Sequence, residues 1–266
     1  MKLSISNIAW TKEHNDAMYN FLKESGFNGL EIAPTRIFPD NPYGQIKDAK
    51  RFSANLKHRY NLEICSMQSI WFGRTEKLFE TIEERKALLD YTKKAIDFAS
   101  SIGCKNLVFG SPKNRIIEND DQYHLAIDFF KELGVYAFEN KTVLSMEANP
   151  TIYGTNFINT TEQAFNLVED VKREGFKVNI DFGTIIQNNE NLKIISENIN
   201  LVNHIHISEP NLAPIAIEVR RLHNELSDLL EKASYDKFIS IEMKNTDDLN
   251  KVKQCIEYIK GVFNAN

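Results

Sequence analysis

Short apolar or β-branched runs alternate with longer amphipathic stretches from one end of the chain to the other. The runs cover residues 3–8, 29–32, 62–68, 106–109, 142–147, 177–181, 201–207 and 238–243. A strand-like run followed by an amphipathic helical stretch, repeated in this way, is the mark of a parallel sheet with helical crossovers. Eight such units in 266 residues predict an α/β protein of the closed (β/α)8 TIM barrel type, because a doubly wound sheet usually needs fewer strands. No linker, low-complexity tract or charge block interrupts the alternation, so the expectation is a single domain over residues 1–266.

Local punctuation refines the helices. Thr75 is placed to cap a long helix from Glu76 to Ile102, closed by Gly103. Asn159, with Glu162 three residues on, reads as a capping box for a helix ending near Gly175. Thr246 starts a last helix with Asp247 and Asp248 in its first turn, where the helix dipole favours acids. Segments 34–47, 70–75, 110–119, 149–159 and 209–215, all after strands, are longer than the segments before strands. In a barrel the carboxyl-end loops build the active site, so the asymmetry places function at that rim.

Four residues stand at the ends of the later runs: Glu147 in VLSME, Asp181 in KVNID, His206 in VNHIH and Glu242 in FISIE. Three carboxylates and an imidazole gathered at one rim repel as anions or shift their pKa values upward unless a divalent cation sits among them. Every second side chain of a strand points inward. With the four as inward ligands, Ser145, Asn179, His204 and Ser240 point inward one layer below them, while Met146, Ile180, Ile205 and Ile241 face the helices. Asn179, His204 and Ser240 are thus the expected supports that orient the carboxylates and fix the imidazole tautomer. Mainly oxygen ligation suits one Mn²⁺, Mg²⁺ or Co²⁺ ion, with Zn²⁺ also accommodated.

An ion so held has room for a carbonyl and its neighbouring hydroxyl, acidifies the C–H between them and stabilises the enediolate that follows. Glu147 and Glu242, on strands well apart around the ring, are the expected catalytic bases on opposite faces of the bound carbon. Proton return on the far face is epimerisation; return at the adjacent carbon is aldose–ketose isomerisation. Gln68, Arg115 and Asn156 are candidate substrate contacts, with Arg36 or Lys244 as partners for Arg115. Trp10, Trp71, Phe72 and Tyr153 are candidate aromatic walls.

Composition narrows the classes. The chain is 42% hydrophobic, enough for a large core, and no apolar run approaches the roughly 20 residues needed to cross a bilayer. No secretory leader is evident, and a soluble, cytoplasmic protein without a membrane partner is expected. Net charge is −5 and the 32 Lys and Arg residues are scattered, so the basic footprint of a nucleic-acid partner is missing. Cys65, Cys104 and Cys255 have no paired short spacing and read as buried thiols.

Five segments carry a family resemblance: GFNGLEIAP (26–34), MEANPTIYGTNFINTTEQA (146–164), NIDFGT (179–184), HIHISEP (204–210) and SIEM (240–243). Along its whole length the chain resembles the xylose isomerase-like barrel group of sugar isomerases and epimerases, which includes the D-tagatose and D-psicose type ketose epimerases. The resemblance implies that Glu147, Asp181, His206 and Glu242 bind one divalent metal, that the substrate is a small carbohydrate, and that two copies pair through barrel helices. It also assigns Glu209 and the position of Thr184 to substrate contact.

Two departures are evident. Thr184 stands where the epimerases usually carry a histidine, and Leu212 where they carry an arginine. The implied function is a divalent-metal-dependent isomerase or epimerase of a sugar or sugar derivative. Thr184 and Leu212 keep open an inosose dehydratase-like or hydroxypyruvate isomerase-like enzyme on the same barrel. An endonuclease IV-like nuclease needs many histidines, whereas only six occur here and His14, His58, His124 and His223 fall in helical or pre-helical segments. A non-catalytic binding protein is the remaining alternative.

Overall fold

The computed structural model describes residues 1–216 and 221–263. Eight parallel strands close into a barrel in chain order, with β8 returning to β1. They are β1 (Lys2–Ser6), β2 (Gly29–Ile32), β3 (Glu63–Met67), β4 (Asn106–Phe109), β5 (Val143–Glu147), β6 (Phe176–Asp181), β7 (Val202–Ser208) and β8 (Phe238–Glu242). The larger outer helices are α1 (Asn15–Glu24), α2 (Ile46–Asn55), α3 (Ile82–Ser101), α4 (Tyr123–Glu139), α5 (Thr161–Val171), α6 (Phe182–Asn188), α7 (Arg221–Lys232) and α8 (Leu249–Phe263). The strands fall where the apolar runs place them, with ends that move by one or two residues. β1 stops earliest, because Asn7–Ala9 turn into a 3-10 helix.

Outward strand residues such as Ile180, Ile205 and Ile241 are fully buried against the helices. Inward residues make a polar interior. At the seam the Ser4 and Ser240 hydroxyls meet at 2.5 Å. Beside them Asn106 accepts from Ser145 Oγ at 2.5 Å and from Asn203 Nδ2 at 2.8 Å, and donates to Ser66 Oγ at 2.9 Å. These buried polar groups thereby find partners, which offsets the cost of leaving water. Gly29 is required here: a Cβ would come within 2.5–2.9 Å of Phe238, Ser4 and Cys65.

Three helix starts differ from the sequence expectation. Residues 74–80 do not extend α3 backwards, because Asn114 ties that segment to the loop after β4. Its Nδ2 donates to the carbonyls of Arg74 and Glu76, and its carbonyl accepts from Leu78 N. Thr81, not Thr75, is the cap and accepts from Glu84 N at 3.1 Å. The capping box of α5 is Thr160 with Gln163, one residue beyond Asn159 and Glu162. Asn159 instead donates to the carbonyls of Asn149 and Thr155. The last helix begins at Leu249, with Asp248 accepting from Asn250 N, not at Thr246.

Thr81→Ala is expected to cost about 1 kcal/mol of stability, whereas Thr75→Ala at an exposed loop site stays within about 0.5 kcal/mol of the parent. Denaturant midpoints of the two variants check the assignment; equal losses would contradict it.

Candidate metal centre

The ends of β5 to β8 bring Glu147, Asp181, His206 and Glu242 together at the carboxyl rim. One ligand atom from each lies within 4.8 Å of all the others, and all four side chains are buried. Strand stagger allows this. Asp181 is level with His206, but Glu147 is level with Asn179 and Glu242 with Ser208. The tilt of strands in a closed barrel carries residues of different register to the same height.

Every ligand is held from its flank. Glu147 Oε1 accepts from Asn179 Nδ2 at 2.8 Å, and Oε2 from Asn149 Nδ2 at 3.1 Å. Asp181 Oδ2 accepts from the backbone N–H and hydroxyl of Thr184 at 2.8 and 2.7 Å, and Oδ1 from the Ser208 hydroxyl. His206 Nδ1 lies 3.0 Å from Glu147 Oε1 and 3.1 Å from Glu242 Oε2. Its Nε2 points away from the rim, 2.9 Å from Glu31 Oε2. Glu31 also lies 3.4 Å from His204 Nε2 and is wholly enclosed.

The electrostatics reflect crowding. Burial first, then repulsion from Glu147, raises the Asp181 carboxyl to about 6. Burial also raises Glu242 to about 7, with Glu147 and Asp181 adding repulsion and His206 opposing. For His206, burial disfavours the charged ring, yet Glu31, Glu242 and Glu147 outweigh it and hold its pKa well above the ordinary value. The same attraction, against burial, keeps Glu31 below the usual carboxylate range. Three acidic side chains around one imidazole nitrogen, two of them with raised pKa values, fit a divalent cation in donor type and in charge.

A cavity of about 170 Å³ opens above the carboxylates, lined also by Gln68, Ser69, Asn149, Tyr153 and Leu212. Through Ser69 it adjoins a shallower cleft of about 720 Å³ beside Arg36, Phe72 and Arg74. Gln68 faces the smaller cavity while its amide donates to Ser6 and accepts from Ser69. Asn179, His204 and Ser240 lie in the inward layer below the rim, where alternation puts them. Asn179 touches Glu147 and His206, His204 faces Glu31, and Ser240 joins the seam to Ser4.

Several expected substrate contacts are engaged with the scaffold. Arg115 is fully buried, and its guanidinium donates to the carbonyls of Phe157 and Glu147 and to Asn149 Oδ1. It therefore braces the loop that carries Asn149 against Glu147. Asn156 is exposed and clipped to both backbone groups of Ile117. Thr184 is enclosed and spends its donors on Asp181, and Glu209 is buried and accepts from Ala216 N. Trp10 and Trp71 are core residues with indole N–H bonds to Asn15 and Thr92. Tyr153 lines the cavity and Phe72 the adjoining cleft.

Glu31 carries no role in the sequence expectation. Its signal is an inward acid on β2, two residues after the close-packed Gly29, with buried Leu30 and Ile32 on either side.

Fold and site together define a (β/α)8 barrel whose carboxyl rim carries a buried cluster of acids and one imidazole that could hold a metal ion. The family model of the xylose isomerase-like TIM barrel matches residues 19–262, and the chain belongs to that family. Among solved structures, the 3-keto-D-glucoside 4-epimerase of E. coli superposes with TM-score 0.78 at 18% identity, covering 98% of this chain and 99% of that one. A D-psicose 3-epimerase matches with TM-score 0.78 at 14% identity and 99% coverage of both chains. A family 2 AP endonuclease from Brucella melitensis matches with TM-score 0.73 at 17% identity, covering 93% and 95%. At such identities the likeness is one of fold. Comparison with curated proteins by sequence returns no match. Among the described residues no helix is long and apolar enough to cross a membrane.

Two outcomes follow. Arg115→Leu strips donors from two carbonyls and Asn149, at about 1–3 kcal/mol for each buried group left unpaired, and a lowered denaturant midpoint is the check. For pH, Asp181 and Glu242 are raised in the fold from 3.8 and 4.5 to about 6 and about 7, so their contribution is full below the ordinary values and is lost as pH climbs from there through about 6 to 7. The thermal midpoint in chelator should fall across that window, and Asp181→Asn should flatten the fall.

Proposed function

We propose that the protein is a divalent-metal-dependent isomerase or epimerase of a sugar or sugar derivative. The proposal is carried by one observation, the convergence of Glu147, Asp181, His206 and Glu242 beneath a cavity open to the rim. These four residues would hold one ion, for which Mn²⁺, Mg²⁺ and Co²⁺ suit the oxygen-rich donor set and Zn²⁺ is accommodated. When bound, the ion polarises a carbonyl and the neighbouring hydroxyl, so that the C–H between them becomes acidic.

The chain's own groups then decide the outcome. Glu147 on β5 and Glu242 on β8 approach the cavity from different walls. Glu147 presents Oε2 beside Asn149. Glu242 lines the same cavity, with Oε2 3.1 Å from His206 Nδ1. One carboxylate removes the proton. Return by the other on the opposite face epimerises the carbon, and return to the adjacent carbon isomerises the sugar.

The cavity lining also bears on the substrate. No Lys, Arg or His side chain lines the smaller cavity among the described residues, and Leu212 occupies the place of the epimerases' arginine. A lining of Gln68, Ser69, Asn149 and Tyr153 suits neutral hydroxyls at the reacting end. This supports a polyol or ketose over a hydroxypyruvate-type anion, and it leaves a dehydratase of a cyclic polyol as the second reading. The structural neighbours named as sugar epimerases support the same class. A many-histidine nuclease centre is disfavoured, since His206 is the one histidine in the cage.

Purified protein should take up about one Mn²⁺ per chain, and Asp181→Asn should abolish uptake. Glu147→Gln should retain part of the affinity and lose solvent-deuterium exchange into a ketose by roughly 10²-fold or more. Exchange at the parental rate would remove Glu147 from the base role; no metal uptake by the parent would sink the whole proposal.

A further inference from the structure

We infer that Glu31 is a positioning residue for the cage, selecting the ring nitrogen that His206 presents to the cation; the inference rests on the metal reading above. Glu31 reaches in from β2, on the side of the barrel opposite the ligand-bearing strands. Its Oε2 stands 2.9 Å from His206 Nε2, and the residue has no exposed surface. The other nitrogen, Nδ1, faces Glu147 Oε1 and Glu242 Oε2 at 3.0 and 3.1 Å. A metal ligand must offer a lone pair, and a neutral imidazole has one N–H to place. An ionised carboxylate only accepts. Against Glu31 the N–H therefore belongs on Nε2, and Nδ1 is left free for the ion.

The alternative tautomer is the worse one on both sides. It would aim the Nε2 lone pair at a buried carboxylate and the Nδ1 proton at the place of the cation. The other neighbours of the ring do not oppose this choice. Asn179 Nδ2, which gives one hydrogen to Glu147 Oε1 at 2.8 Å, lies 3.3 Å from Nδ1 with its second and so also leaves Nδ1 as the acceptor, at longer range than the Glu31 contact. His204 meets His206 edge to face at 5.4 Å between ring centres, and its Nε2 stays 3.4 Å from Glu31.

Packing alone does not account for Glu31. Its Oε1 is buried without a hydrogen-bond partner. A carboxylate kept for space-filling would be replaced without loss by an uncharged side chain of the same length, whereas one that selects a tautomer would not. The asymmetry is also specific: Glu31 should matter more than His204, although both are buried in the same contact.

The test uses the full chain and Mn²⁺ as the probe, with titration of the parent, Glu31→Gln, Glu31→Asp and His204→Gln, and circular dichroism as the control for folding. Glu31→Gln is expected to weaken Mn²⁺ binding by about 10–100-fold while remaining folded, since its length is unchanged and its amide no longer dictates one tautomer. Glu31→Asp should recover part of the affinity, and His204→Gln, which removes a ring 3.4 Å from the same carboxylate, should cost less than Glu31→Gln. In the Mg²⁺-loaded parent, long-range ¹⁵N–¹H spectra should show the His206 proton on Nε2, and Glu31→Gln should show a mixture. Parental Mn²⁺ affinity in Glu31→Gln, or a His206 proton on Nδ1 in the loaded parent, would overturn the inference and leave the metal reading standing. A parent that binds no Mn²⁺ would overturn both.

Discussion

Like charges crowded out of water govern this molecule. Glu147, Asp181 and Glu242 meet at one rim, and burial with mutual repulsion raises the pKa values of Asp181 and Glu242. Such a cluster persists only where donors and cations are aimed at it. Asn179, Asn149, Thr184 and Ser208 supply the donors, and His206 touches Glu147, Glu242 and Glu31 at once. The donor set and the remaining negative charge suit a divalent ion, which is the basis of the proposed metal-assisted proton transfer.

The barrel meets the constraint by separating its layers. Outside, aliphatic residues seal strands to helices. Inside, serine, asparagine and histidine form a bonded polar stem below the cage, from the Ser4–Ser240 seam to the Asn106 network. Above the cage, long loops are pinned to one another by buried groups. Arg115 joins the loop after β4 to that after β5, and Asn114 joins it to the loop after β3. At Gly110 even a Cβ would come within 2.6 Å of Glu147 Oε2. Glu147 is therefore set by contacts from the loops after β4 and β5.

Much of this was legible in the chain. The period-two strand signal located all eight strands and put Ser145, Asn179, His204 and Ser240 inward, because burial on both faces leaves little freedom of register. Helix starts were less legible. Thr75 and Asn159 have capping chemistry, but Asn114 and the carbonyls of Asn149 and Thr155 claim those segments from distant parts of the chain. Arg115 reads as a candidate substrate contact after β4, since nothing local shows that its partners are the carbonyls of Phe157 and Glu147. Glu31 was hidden for a related reason: an acid in mid-strand says little until β7 brings two imidazoles to it.

The amino-acid sequence by itself determined the repeating β/α units, the inward and outward faces of the strands, and the four strand-end residues with cation-binding chemistry. These are local properties, set by side-chain period and residue type. Tertiary structure alone decided which polar residues line the cavity and which brace the scaffold, which nitrogen of His206 faces Glu147 and Glu242, and that Glu31 stands behind it. Those choices depend on distances between strands and loops far apart in the chain, and on a stagger that only the closed barrel imposes.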